Sequence, residues 1–168
     1  MKRFLVLITM QITSSYVFSQ NNTNWLSKKM KAADTVLVIS HVATTGVMNE
    51  DETGKFISPP ELIIGDKLND SIVIERSIIT GAQLDVLIRI LTQPLQSKNI
   101  YVAKRFIPHH AIILIKNGKV SYIDICFACH GYVWSKDLES LGSFDNYKWN
   151  ALESFFLKQG FKYKLGVK

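Results

Sequence analysis

Asn117-Gly118 stands between two runs rich in β-branched residues, Ala111 to Lys116 and Lys119 to Ile125, and this dipeptide constrains the fold more than any other feature of the chain. A two-residue type I′ turn needs positive φ at both central positions, and Asn-Gly is a preferred pair for it because its twist matches that of the strands it joins. The reversal at 117 and 118 then sets the register. Lys116 faces Lys119, Ala111 faces Asp124, His110 faces Ile125 and His109 faces Cys126. Side chains directly opposite lie about 4.5 to 5.5 Å apart. His109, Asp124 and Cys126 therefore share one face, while His110 points to the other, towards Cys129 if the strand continues straight.

The chain's two cysteines and three of its four histidines thus converge on one hairpin end, in Pro108-His109-His110 and in Asp124-Ile125-Cys126-Phe127-Ala128-Cys129-His130. Four chemistries fit these residue types. A Cys126–Cys129 disulfide would close the strand end into a turn if the chain is exported to an oxidising compartment. A tetrahedral zinc would take both cysteines and two of His109, His110 and His130, although neighbouring histidines on a strand point to opposite faces and need a bulge to converge. Thiol redox chemistry would use Cys126 as the reactive thiolate and Cys129 as its resolving partner, with His109 beside them and Asp124 orienting the imidazole. The segment after Cys129 is not helix-like, however, so the helix N-terminus that activates such a thiol is missing. Cys126-Phe127-Ala128-Cys129-His130 also spells the string of covalent haem attachment, with Met48 or His41 as a further axial ligand, but it sits in a strand-like run.

Around this hairpin the pattern is mixed. Asn24 is placed to cap a short helix from Trp25 to Ala33, and Thr35 to Val42 reads as a strand covered on both faces, which gives His41 a core-edge position. Ala43 to Pro60 reads as a long exposed loop or loose hairpin and a candidate binding edge. Glu61 to Ile64 and Ser71 to Ile78 read as strands joined by the turn formers 65–70. Thr80 and Gln83 fit a capping box for a helix in which Leu84, Leu87, Ile88 and Leu91 form one stripe, ended by Pro94. Asn99 to Phe106 reads as a strand. Ser143 or Asp145 starts a last helix that buries Trp149, Leu152, Phe155 and Phe156 and stops at Gly160, and Phe161 to Leu165 reads as an edge strand. The expected fold class is α+β, a mostly antiparallel sheet with two main helices packed on one face.

Lys2 and Arg3, the apolar run Phe4 to Met10, and Val17 and Ser19 at the minus-three and minus-one positions match a secretory signal cut after Ser19, leaving residues 20–168 as a single domain. The apolar run falls well short of the roughly 20 residues of a spanning helix, and no later stretch is apolar enough to span. The product is expected to be periplasmic or secreted. The formal net charge of +6 includes Lys2 and Arg3, and the remaining surplus lies in lysines near the two ends. Such runs describe a solvated face and give no reason for a nucleic-acid partner. No G-x-S-x-G, phosphate-binding loop, dinucleotide glycine fingerprint or H-E-x-x-H string is present, so no catalytic function is assigned. Trp25, Trp134 and Trp149 read as core anchors. An exposed Trp134 beside Tyr132 would instead present a contact surface to a protein partner.

The Pro108 to Ile113 run, the Lys116-Asn117-Gly118-Lys119 turn, Ser121 to Cys129 and the closing Phe155-Phe156-Leu157-Lys158-Gln159-Gly160 together resemble a family of small exported bacterial proteins without an assigned activity. The resemblance covers most of the chain after the signal and supplies no reaction. It implies a further cysteine just before the Pro-His segment in many members, where this chain has Arg105, which weakens a three-cysteine centre. It also implies glycine after the second cysteine, where this chain has His130, which makes the haem string incidental.

Overall fold

The computed structural model describes residues 24–45, 49–50, 56–98, 100–101, 103 and 105–166. The elements are α1 (Asn24–Ala32), β1 (Thr35–His41), β2 (Asn49–Glu50), β3 (Phe56–Ile57), β4 (Ile63–Ile64), β5 (Lys67–Leu68), a 3-10 turn at Asp70–Ile72, β6 (Val73–Ile78), α2 (Gly81–Thr92), β7 (His110–Lys116), β8 (Lys119–Cys126), β9 (Gly131–Trp134) and α3 (Asn146–Lys158). The expected signal, residues 1–19, lies outside the described residues, as does Met48.

The Asn-Gly hairpin forms in the expected register. Asn117 has φ 50° and Gly118 φ 76°, and His110 pairs with Ile125, Ala111 with Asp124 and Lys116 with Lys119. Around it a five-stranded sheet is built in the order β6-β1-β7-β8-β9, with every neighbour antiparallel. Alternation divides its residues between two layers. Val36, Val38, Ile112, Leu114, Ile123 and Ile125 pack with residues of all three helices. On the other face Leu37, Ile39, Ala111 and Ile113 meet Leu62 and Ile72 from the segment before β6. The α+β class and the one-sided placement of the helices hold, with α1 joining the two main helices over the same face.

Local physics explains where other elements differ from expectation. Gly65, at φ 62°, turns the chain so tightly that Ile63 and Ile64 pair with Leu68 and Lys67, inside the run expected to be a connection. Thr80 caps α2 without a side-chain bond: the Gln83 backbone amide donates to the Thr80 carbonyl, and the Gln83 side chain, rather than reaching back, donates from Nε2 to the side chain of Gln159 at 2.9 Å. Asp145 does cap α3, accepting from the Lys148 amide, and its other oxygen accepts from the amides of Gln96 and Ser97. The described residues of 99–106 form no strand. Both edges of β7 are already taken by β1 and β8, and Pro108 has no N–H to offer. Those described residues instead form an irregular cover at the sheet end, with the Ala103 amide donating to the Cys129 carbonyl.

The end of the chain adds one unforeseen strand and one correction. Gly131 to Trp134 is a strand, β9, paired on β8 from Cys126↔Gly131 to Ile123↔Trp134. Phe161 to Leu165 is a turn and not an edge strand. The amides of Lys162 and Tyr163 donate to the Glu75 carboxylate, and the Tyr163 carbonyl accepts from His110 Nε2 at 2.9 Å. Bound in this way to two strands, the turn leaves no free backbone edge for a ladder.

Candidate functional site

Cys126 ends β8, Gly131 begins β9, and the four residues between them make the turn. The sulfurs of Cys126 and Cys129 are bonded across this turn, with Cα atoms 5.4 Å apart. Both cysteines are buried. His130, the last residue of the turn, sits at φ 50°, a left-handed conformation that favours glycine. Its ring lies nearly parallel to Trp149 at 5.4 Å between centroids. Gly131 passes so close beneath Phe106 that a Cβ there would stand 3.2 Å from that ring and 3.5 Å from Cys129 Sγ.

The bridge borders a cleft of about 410 Å³ at the end of the sheet where β7 begins. Both cysteines, His109, His110, Phe127 and Ile107 contribute to its lining, and Arg105 and Lys164 flank it. Lys164 reaches this position because the Tyr163 turn is held by Glu75 and His110.

The histidines part company here. His110 points to the helix layer, edge-on to Phe127 and Phe156, and donates from Nε2 to the Tyr163 carbonyl. Burial pushes its pKa down to about 4, against the small opposing pull of that carbonyl. His109 is half-buried, with Nδ1 at 3.4 Å from the His41 carbonyl and its ring edge-on to Tyr163. Burial also lowers its pKa, and the charges of His41 and Lys164 act in the same direction.

Asp124 does not orient His109. Its Oδ1 accepts from His41 Nε2 at 3.0 Å and its Oδ2 from the Thr44 hydroxyl at 3.1 Å, while His41 Nδ1 donates to the Val42 carbonyl at 2.8 Å. Both His41 nitrogens thus face acceptors, an arrangement that the doubly protonated imidazolium satisfies completely. Burial alone would lower the His41 pKa, but the hydrogen bond and charge of Asp124, with the neighbouring backbone, raise it overall. This pair was hidden in the sequence because its members are 83 positions apart. The available signal was a histidine on the same strand face as Leu37 and Ile39, two strands from an inward-facing acid.

The candidate centres follow from these positions. The zinc set of Cys126, Cys129, His109, His110 and His130 is not assembled: the sulfurs are bonded to each other, the three rings diverge, and no group of three or more metal-binding side chains occurs among the described residues. The redox pair Cys126 and Cys129 is present, but in a strand-to-strand turn and without the His109–Asp124 contact. The haem reading loses its attachment sulfurs to the bridge, while His41 is occupied by Asp124. Trp149 is buried as a core anchor, whereas Trp134 is 36% exposed and tilts against Tyr132, which itself packs on Phe144. Among the described residues no helix is long and apolar enough to cross a membrane. Comparison with protein-family models, with curated proteins and with solved structures finds no match, so the chemistry of the cleft has to speak for itself.

Proposed function

We propose that this chain is an exported binding protein in which the Cys126–Cys129 bridge is a structural clasp for the β8–β9 turn, and that the cleft shaped by this turn takes an apolar ligand. The observation that carries the reading is the position of the bridge: both cysteines are buried, yet they form part of the lining of a concave, largely apolar site of ordinary ligand-pocket size. Export supplies the oxidising surroundings such a clasp needs, and the signal-like residues 1–19 supply the route. Asp124 is hydrogen-bonded to His41 rather than to His109, and Cys126 ends a strand rather than opening a helix, which argues against a thiolate poised for attack.

A second reading, a thiol-disulfide exchange protein, is favoured by one feature: Arg105 and Lys164 line the same cleft as the bridge and carry charges that would stabilise a thiolate. One set of measurements on the purified oxidised chain separates the two. The clasp reading expects an intact mass lower by two hydrogens than that of the dithiol and no bound zinc. It also expects saturable binding of N-phenyl-1-naphthylamine, an uncharged fluorescent probe, which Ala128→Trp abolishes by filling the cleft. Retained zinc, or thiols free in the native protein, would overturn the clasp, and binding indifferent to Ala128→Trp would overturn the cleft.

A further inference from the structure

Among the described residues two acids lie near the cleft, Asp124 and Glu75, and both are already consumed. Asp124 is held by His41 and Thr44, and the Glu75 carboxylate by the Ser40 hydroxyl and the amides of Lys162 and Tyr163. Among the described residues no acidic side chain belongs to the lining itself. Arg105 and Lys164 are instead left without an ion-pair partner among the described residues, and the Lys164 ammonium lies 5.9 Å from the centroid of the Tyr163 ring.

A concave site with apolar walls and two unpaired cations at its mouth is a receptor for a molecule of matching polarity. We propose that the ligand is a small organic anion, an apolar or aromatic body carrying one carboxylate or sulfonate, with the body against Phe127, Ile107 and the disulfide and the anionic end between Arg105 and Lys164. This deepens the binding reading above and rests on it. The guanidinium offers a planar fork suited to either oxyanion, while the ammonium acts as a compact point charge. Because both cationic residues are exposed, the anion keeps part of its hydration. The gain is therefore that of a partly exposed charge-assisted hydrogen bond rather than of a buried ion pair.

The test compares two probes with one ring system: 8-anilinonaphthalene-1-sulfonate and the uncharged N-phenyl-1-naphthylamine. Titrated into the oxidised full-length protein at low salt, the sulfonate should saturate a single site about tenfold more tightly than the neutral probe. The double substitution Arg105→Gln/Lys164→Gln should remove that advantage and leave the neutral probe unchanged, and Lys119→Gln, on the distant hairpin turn, should change neither. If the two probes bind alike, or if the double substitution leaves the sulfonate unaffected, the anion assignment is overturned while the apolar cleft stands. If neither probe binds, the cleft reading falls with it.

Discussion

Asp124 is the residue whose surroundings decide most about its neighbours. Removing its side chain as Asp124→Ala would strand the His41 imidazole and the Thr44 hydroxyl, and breaking a buried pair from one side costs about 3 kcal/mol or more. Asp124→Asn keeps an acceptor and a donor in place and should cost clearly less, a contrast that urea unfolding at pH 6 would read directly. The two buried histidines give opposite pH signatures. His41 has a folded pKa raised above 6.5, so its contribution is fully present below that pH and is lost as pH rises through the folded value. His110 has a folded pKa of about 4, so between pH 6.5 and 4 the unfolded chain binds a proton that the folded chain refuses. Stability therefore declines on acidification across that window, by at most about 3 kcal/mol from this group. His110→Gln, which retains a donor for the Tyr163 carbonyl, should flatten the acid side of a melting-temperature profile; an unchanged slope would show that another group is responsible.

At the scale of elements, the β8–β9 turn holds the expectation most worth testing. The bridge encloses few residues, so replacing both cysteines by alanine should cost about 2 kcal/mol by loop-closure arithmetic. Gly131→Ala should cost about 1 kcal/mol through its close approach to Phe106, with no contribution from backbone strain. Both changes are measurable by thermal unfolding. What the sequence revealed of these elements depended on how locally each was encoded. The Asn117-Gly118 hairpin, the α2 stripe and the Asp145 cap each arise from residues a few positions apart, and all were legible, the cap as one of two candidates with Ser143. β9 was not, because its reversal is made by a disulfide and a histidine at positive φ rather than by an Asn-Gly signal, although Tyr132, Val133 and Trp134 are strand formers. The strand expected over 99–106 is absent among its described residues for a topological reason, since local propensity cannot announce that both edges of the next strand are taken.

Over the whole molecule, one sheet end collects what every layer contributes: the cover segment brings Arg105 and Ile107, the hairpin His109 and Cys126, the clasped turn Cys129, and the C-terminal turn Lys164. The sequence placed the cysteines and two histidines there. It did not place Arg105 or Lys164, whose approach depends on contacts such as Tyr163 to Glu75, 88 positions apart. The cleft is thus a property of the complete fold, and its clasp should be as resistant as the fold itself. The decisive measurement is the rate at which dithiothreitol reduces the Cys126–Cys129 bridge in native protein, compared with the same reaction in unfolding concentrations of urea. A structural clasp buried in the wall should be reduced slowly in the native state and at least about a hundredfold faster once the chain unfolds, because access then no longer waits on opening. Equal rates in the two states would show that the bridge is open to exchange in the folded protein and would contradict its role as a clasp.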